Sequence, residues 1–282
     1  IPSIRGKFRS RTEEAIVKEA ESLAEAGIHE LLVVAQDITR YGLDLYGHRA
    51  LADLLPKLCQ IDGIEWIRLH YLYPDEIDDA LIDVIANEPK IVKYLDIPIQ
   101  HINDRLLKAM NRRGTGTEIR ALFQKLRERI PGLVIRTSLI TGFPGETDAE
   151  FEELCEFLLE AKLEWAGVFA YSAEPGSQAA KLPDQIDDDT KRHRLELLTA
   201  LQMRIADAYC ESKIGQTMTV LCEGYDDETE LWYGRSGAES PGIDSIIHFE
   251  GEEGGVVPGG FYSITITSVY DGELIGVREE EE

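Results

Sequence analysis

The chain has 282 residues, with 29 Lys and Arg against 53 Asp and Glu, so its net charge is −24. A chain of this length can bury one large hydrophobic core or two unequal ones. Its 43% of hydrophobic residues excludes a disordered protein. The acidity argues against a protein that binds nucleic acid by neutralising phosphates in bulk. It favours a basic partner, or it serves solubility alone.

No apolar run reaches the roughly 18 residues that a membrane helix needs, and no signal peptide is visible. The chain has four cysteines, and no two of them have the spacing of metal ligands. They are Cys59, Cys155, Cys210 and Cys222. We interpret them as buried or free thiols in a reducing compartment. The sequence therefore predicts a cytoplasmic protein, expected to be a monomer, with no metal ligands of its own.

A unit of about 30 residues recurs along the first 175 residues, as in successive βαβ units. Five apolar, β-branched runs predict strands. They are residues 30–35, 64–72, 91–99, 133–140 and 165–170. Amphipathic segments between them predict helices, among them residues 12–26, and Thr115 with Glu118 and Thr147 with Glu150 have capping-box spacing. The alternation predicts an α/β fold with a parallel sheet, to which a sixth strand before residue 1 would add.

The pattern changes after residue 186. Residues 187–213 predict one long helix with an apolar stripe at Leu195, Leu198, Leu201 and Ile205. After Gly215, five short alternating segments separated by Gly and Asp predict a small β-barrel. They are residues 218–222, 230–234, 245–249, 261–269 and 274–277. We therefore expect a core domain over residues 1–212, including the closing helix, and a barrel domain over residues 213–282.

Polar residues follow all five predicted strands of the sheet. They are 36–41 after the first strand, His70, Tyr71 and Tyr73 after the second, Gln100 and His101 after the third, Ser138, Thr141 and 142–146 at the fourth, and Tyr171, Ser172 and Glu174 after the fifth. The carboxyl ends of parallel strands meet at one edge, where α/β proteins bind their ligands. The sequence therefore predicts a pocket at this edge.

Single residues of this set leave alternatives open. His101 is either a base or ligand, or a hydrogen-bonded structural residue. Gly142-Phe143-Pro144-Gly145-Glu146 predicts a tight turn with positive φ at a glycine, and its N–H groups could also approach a ligand. Arg136 lies inside an apolar strand and needs either a ligand carboxylate or an internal acid. Arg5, Lys7, Arg9 and Arg11 form either a basic edge or a solvated loop.

Several short motifs are spread over most of residues 1–180. They are Ile1-Pro2-Ser3-Ile4-Arg5-Gly6-Lys7, Arg9-Ser10-Arg11, Ala35-Gln36-Asp37, Tyr41-Gly42, Tyr73-Pro74, Asp96-Ile97-Pro98-Ile99-Gln100-His101, Met110-Asn111-Arg112-Arg113, and Arg136-Thr137-Ser138 running into the 142–146 turn. Together they resemble the radical S-adenosylmethionine methylthiotransferases. The segment after Gly215 resembles the TRAM domain that closes these enzymes. The resemblance implies a partial (β/α)6 barrel followed by an OB-like TRAM barrel.

Two branches of this family modify different substrates, a tRNA adenosine or an aspartate of the twelfth small-subunit ribosomal protein. The first seven residues, Asp44-Leu45-Tyr46-Gly47, and Tyr171-Ser172 followed by Glu174-Pro175-Gly176 resemble the second branch, the RimO type. Residues 211–282 carry a net charge of −14. A domain that grips tRNA should be basic, whereas this one should attract a lysine-rich ribosomal protein. The alternatives are the tRNA-modifying branch and a non-catalytic chain that only binds the ribosomal protein.

The resemblance also implies cofactors. In the family, a CxxxCxxC motif holds a 4Fe–4S cluster that binds S-adenosylmethionine, and the radical formed from it takes hydrogen from the aspartate β-carbon. A second cluster belongs to an amino-terminal domain. Neither that motif nor that domain occurs in residues 1–282. We therefore expect the ligands of both clusters to be absent from this chain, the third cysteine to lie just before Ile1, and residues 1–282 alone to be inactive.

By the same resemblance, six residues line the S-adenosylmethionine pocket. They are Gln36, Gln100, Arg136, Ser138, Gly142 and Tyr171. The glutamine and serine side chains would bond the ribose or the amino-acid group, and Arg136 would face the carboxylate. Backbone near Gly142 and Tyr171 would meet the adenine. The sequence assigns no catalytic residue.

Overall fold

The computed structural model describes residues 6–251 and 254–279. It divides into two compact units. The first unit is the described part of Ile1–Pro98 together with Ala121–Leu133, and the second is Ile99–Arg120 together with the described part of Val134–Glu282. Residues 1–5, which carry part of the resemblance and Arg5 of the basic segment, lie outside the described residues. So do residues 280–282 of the acidic end.

The first unit contains three parallel strands joined by helices. Its elements are α1 (Glu13–Glu25), β1 (Glu30–Val33), α2 (Leu51–Cys59), β2 (Trp66–Leu69), α3 (Asp79–Asn87) and β3 (Ile91–Asp96), with a short 3-10 helix at Pro74–Glu76. The strands pair in the order β1-β2-β3, and Leu31 lies opposite Ile67. Thr12 caps α1, because its side chain accepts a hydrogen bond from the N–H of Ala15.

A buried arginine lies in the sheet of the first unit. Arg68 of β2 is fully buried, its Nε donates to Glu30 Oε1 at 2.9 Å, and its guanidinium lies 4.9 Å from the ring centroid of Tyr94. A buried charge needs a counter-charge of this kind, because desolvation alone is unfavourable. Arg68 is therefore part of the core.

The second unit contains a parallel strand pair and the long helix. Its elements are α4 (Asp104–Ala109), the start of α5 (Gly116–Arg129), β4 (Val134–Thr141), α6 (Asp148–Ala161), β5 (Trp165–Ala170), a 3-10 helix at Ala179–Lys181, and α7 (Asp188–Glu211). The strands β4 and β5 pair from Arg136 opposite Trp165 to Thr141 opposite Ala170. The capping box predicted at Thr147 and Glu150 begins α6.

Five further strands of the second unit close into a barrel. They are β6 (Thr217–Asp226), β7 (Leu231–Arg235), β8 (Ile247–Glu250), β9 (Phe261–Tyr270) and β10 (Glu273–Arg278). Their order is β10-β8-β7-β6-β9; β10 pairs with β8 in parallel and the other pairs are antiparallel. Val220, Phe249 and Ile264 fill the barrel, and Cys210 of α7 belongs to the same core.

The predicted fold class is confirmed: an α/β part with five parallel strands is followed by a small closed barrel. Each predicted strand is present. The boundary at residue 212 stays a prediction, because the compact units divide within the α/β part. Within the described ranges, no helix is long and apolar enough to cross a membrane.

Candidate functional site

The turn after β4 has the backbone conformation that its glycines predicted. Gly142 has φ +71° and Gly145 has φ +76°, in the left-handed region that favours glycine. The N–H of Gly142 donates to Glu146 Oε2 at 2.6 Å. This N–H is therefore satisfied inside the turn, which leaves it no role as a direct donor to a ligand.

The carboxylate of Glu146 is the centre of a buried polar cluster. It receives hydrogen bonds from Thr141 Oγ1 at 3.2 Å and from Arg194 Nη1 of α7 at 2.7 Å. His101 Nε2 lies 3.2 Å from its other oxygen. The side chains of Glu146 and His101 are fully buried, and that of Arg194 nearly so. Burial disfavours the charged form of Arg194, but bonds to Asp148 and Glu146 raise its pKa above the usual value.

The hydrogen bonds of His101 decide between the alternatives left open for it. The N–H of Asn103 donates to Nδ1 at 3.0 Å. A backbone N–H can only donate, so Nδ1 is an acceptor and the imidazole is neutral. Nε2 then carries the hydrogen and donates a hydrogen bond to Glu146. Both ring nitrogens are used inside the protein, so His101 is a structural residue.

A residue with a left-handed backbone conformation, at positive φ, follows each of three successive strands. Tyr71 after β2 has φ 60°, Gln100 after β3 has φ 72°, and Gly142 after β4 has φ 71°. For Tyr71 and Gln100 this conformation is strained, and such strain is concentrated at functional sites. Gln100 is held in it by β4: its N–H donates to Ser138 O at 2.9 Å, and its carbonyl accepts from the N–H of Ile140 at 2.7 Å.

Four of the six predicted site residues come together at this end of the second unit. Gln100 bonds the backbone of Ser138, and the N–H of Tyr171 donates to Thr141 O at 2.8 Å, next to Gly142. The Tyr171 ring meets Phe143 edge-on, with centroids 5.2 Å apart. Its hydroxyl is buried, and the described residues supply no hydrogen-bond partner for it. A buried polar atom of this kind fits a polar ligand.

Arg136 lies on β4 two residues before Ser138, further from the turn. It is six residues before Gly142, about 20 Å away along an extended strand. Its Nε donates to Asp244 Oδ1 at 3.3 Å, and both side chains are largely buried. The structure therefore gives Arg136 an internal acid, one of its two alternatives. Asp244 belongs to the loop between β7 and β8, and the indole of Trp165 donates to Ala238 O of that loop at 2.8 Å.

Gln36, the remaining predicted site residue, belongs to the first unit. It follows β1 at an exposed position. Its neighbours Ala35 and Asp37 line a mainly apolar cavity of about 440 Å³ beside β1. Burial raises the pKa of Asp37, against hydrogen bonds from Thr39 that lower it.

The cysteines do not fit a cluster site. Cys59, Cys210 and Cys222 are buried and Cys155 is half-buried, and burial raises the pKa of Cys59 and Cys210 to about 11. A cysteine binds a metal ion as its thiolate, and this buried environment disfavours the thiolate. In the part of the chain that the structure describes, no group of three His, Cys, Asp or Glu could hold a metal ion.

Sequence reasoning missed Arg194 and Asp244. On α7 the buried residues are Arg194, Leu198, Gln202 and Cys210. Of the predicted stripe, Leu198 is buried, whereas Leu195, Leu201 and Ile205 are half-buried. The buried face is turned toward Arg194, which reaches Glu146, and Gln202, which donates to Leu163 O at 3.1 Å. The four-residue spacing of Arg194, Leu198 and Gln202 was the available signal.

Comparison with known proteins gives two matched regions. Residues 1–158 match the Radical SAM superfamily, and residues 214–278 match the TRAM domain. "Ribosomal protein uS12 methylthiotransferase RimO" of Pelobacter propionicus is 48% identical over 281 residues, which is 99% of this chain and 62% of that protein. The protein of the same name from Anaeromyxobacter sp. (strain K) is 47% identical over 98% of this chain and 59% of its own length.

Among solved structures, coproporphyrinogen III oxidase (HemN) from Escherichia coli, described as a radical SAM enzyme, matches with a TM-score of 0.51. The match covers 82% of this chain and 60% of HemN at 15% identity, so the likeness concerns the fold alone. The chain spans about 60% of the length of the two curated relatives. The resemblance expected from the sequence motifs is confirmed. The chain belongs to the radical SAM superfamily, with the RimO-type methylthiotransferases as its relatives.

Proposed function

We propose that this chain takes part in the methylthiolation of ribosomal protein uS12 at the β-carbon of an aspartate, by radical S-adenosylmethionine chemistry. The observation that carries the proposal is 46–48% identity along almost the whole chain to proteins named as methylthiotransferases of ribosomal protein uS12. The described residues fit neither of the two 4Fe–4S clusters that the family implies. In this proposal the residues of this chain bind S-adenosylmethionine and the acceptor protein.

Gln36, Gln100, Ser138, Gly142 and Tyr171 are the proposed S-adenosylmethionine contacts. S-adenosylmethionine supplies the methyl group and, in this superfamily, the radical that takes the hydrogen atom. The strained backbone of Gln100 and the buried Tyr171 hydroxyl support the proposal within the second unit. The backbone oxygen of the half-buried Ser138 accepts the hydrogen bond from the Gln100 N–H.

Arg136 is proposed as the partner of the S-adenosylmethionine carboxylate. A guanidinium has five donors, and Asp244 accepts from Nε, so the proposal requires one guanidinium to serve two carboxylates. The test is the affinity for S-adenosylmethionine of Arg136→Ala in the full-length, cluster-loaded protein. We expect the dissociation constant to rise at least about tenfold, which corresponds to a loss of about 1.4 kcal/mol of binding free energy. An unchanged affinity would assign Arg136 to Asp244 alone.

The barrel is the proposed dock for the basic acceptor protein. No Lys or Arg occurs between Lys213 and Arg235, whereas five carboxylates do. Asp227, Glu228 and Glu230 are exposed in the β6–β7 hairpin, beside the edge-on rings of Tyr225 and Trp232, 5.1 Å apart. Carboxylates and aromatic faces both attract Lys and Arg side chains. A phosphate backbone would be repelled.

Deleting the gene in its host tests the proposed reaction. Mass spectrometry of uS12 from the wild type should show one methylthio group on an aspartate, which the deletion strain lacks and the restored gene returns. A methylthio group lost from tRNA in place of uS12 would assign the chain to the tRNA-modifying branch. The cytoplasmic location and the monomeric state stay predictions.

A further inference from the structure

We propose that Glu146 is a positioning residue: it holds the turn after β4 in the conformation that the S-adenosylmethionine site needs and ties this turn to helix α7. The inference rests on the proposed binding of S-adenosylmethionine by this turn. Glu146 itself does not contact the ligand. It acts through Gly142 and Arg194.

Both oxygens of the Glu146 carboxylate have hydrogen-bond partners inside the protein. One oxygen lies 3.2 Å from His101 Nε2. The other accepts from the Gly142 N–H, Thr141 Oγ1 and Arg194 Nη1 at 2.6, 3.2 and 2.7 Å. Both carboxylate oxygens thus have donors inside the protein, and the side chain is fully buried, so Glu146 is not available to a ligand. Glu146 therefore organises its surroundings instead of binding substrate.

The turn depends on this carboxylate for its shape. Without Glu146, the N–H of Gly142 would be a buried donor with no partner, which is unfavourable. Gly142 is buried, with φ +71°, and the next residue, Phe143, packs on the Tyr171 ring. Releasing Gly142 would therefore shift Phe143 and the buried Tyr171 hydroxyl together.

Arg194 extends the network to α7. Its Nη1 also donates to the backbone oxygen of Glu146 at 3.1 Å, so it holds both the side chain and the main chain of the turn. Cys210 lies 16 residues further along the same helix, about 24 Å away at the rise of an α-helix, inside the barrel core. One continuous helix thus connects the turn with the barrel.

The substitution Glu146→Gln tests the inference in the full-length, cluster-loaded protein. Glutamine keeps the size but replaces an acceptor oxygen with an NH2 group that faces donors. We expect the Gly142 amide to exchange with solvent at least about 100-fold faster without S-adenosylmethionine. We also expect the dissociation constant of S-adenosylmethionine to rise at least about tenfold. Arg194→Lys, which keeps the charge but loses the planar fork, should show smaller changes in the same direction.

The control is Leu158→Ala on α6. Leu158 is fully buried in the same unit, and its loss lowers stability without removing a bond to the turn. The inference is overturned if Glu146→Gln leaves the Gly142 amide as protected as in the control, or weakens S-adenosylmethionine binding no more than the control does. Amide exchange is measured without S-adenosylmethionine, so it tests the role of Glu146 in the turn even if the wild type fails to bind that ligand. Such a failure to bind would refute the proposed function alone.

Discussion

Glu146 and the carboxylates of the β6–β7 hairpin are chemically alike and placed in opposite surroundings. Glu146 is fully buried and receives four hydrogen-bond donors. Asp227, Glu228 and Glu230 are exposed on the barrel, in a stretch that contains no Lys or Arg. The net charge of −24 therefore combines two kinds of acid. One kind is needed for the fold, and the other is available to a partner.

The largest effect is expected where the buried acid loses its cation. Arg194→Gln leaves Glu146 uncompensated, and breaking a buried ion pair costs about 3–5 kcal/mol. Arg192, two residues away on α7, is exposed and pairs with the exposed Asp189. Arg192→Gln is therefore the matched control and should leave the free energy of unfolding unchanged. Urea denaturation of both variants measures the difference, and equal losses would refute the distinction between buried and exposed pairs.

The next effect concerns Asp244, a buried acid of the loop between β7 and β8. Asp244 accepts from Arg136 Nε and from the N–H of Ser240, and its side chain is almost fully buried. Asp244→Ala should lower the free energy of unfolding by about 2–3 kcal/mol. A double-mutant cycle with Arg136→Gln should give a coupling of about 1 kcal/mol or more. Additive losses would mean that the two residues do not stabilise each other.

A smaller, pH-dependent effect is expected at the start of α6. Hydrogen bonds from Arg105 lower the pKa of Glu150 to about 2, and those from Thr147 add to this against the effect of burial. A lowered pKa in the folded state stabilises the protein above the usual carboxyl pKa and loses that effect as pH falls toward 2.

The stability difference between wild type and Glu150→Gln should therefore be largest above about pH 5 and shrink below the unfolded-state pKa of about 4.3. Arg105→Gln should remove most of the same dependence. Urea denaturation between pH 3 and pH 6, values chosen to bracket that pKa, measures it. A difference that does not change with pH would contradict the assignment.

The smallest effect on stability is expected on the hairpin. The triple substitution Asp227→Lys, Glu228→Lys and Glu230→Lys should leave the thermal unfolding temperature almost unchanged, because these side chains are exposed. It should weaken binding of uS12 at low salt, and this difference should fade as salt screens the charges. Unchanged uS12 affinity at low salt would remove the hairpin from the proposed dock.

The strands of both sheets could be predicted from the sequence because their apolar patterns are local. Partners distant along the chain could not. Arg136 was left between a ligand carboxylate and an internal acid, and Asp244 comes 108 residues later. The role of Arg194 was hidden for the same reason, since a charged residue in a helix is exposed by default.

Backbone conformation was predictable only at the glycines. Positive φ was expected in the 142–146 turn because glycine tolerates it, and Gly142 and Gly145 adopt it. Nothing in the residue type of Gln100 favours φ 72°. That conformation comes from its two hydrogen bonds with β4, which become visible only once the strands are in register.

A competition between two acceptors tests the central claim most directly. The full-length, cluster-loaded protein is incubated with S-adenosylmethionine, a sulfur source, a reductant, and equal amounts of uS12 and tRNA, and both acceptors are then analysed by mass spectrometry. We predict one methylthio group on an aspartate of uS12 and none on tRNA. A methylthio group on tRNA, with uS12 unmodified, would contradict it.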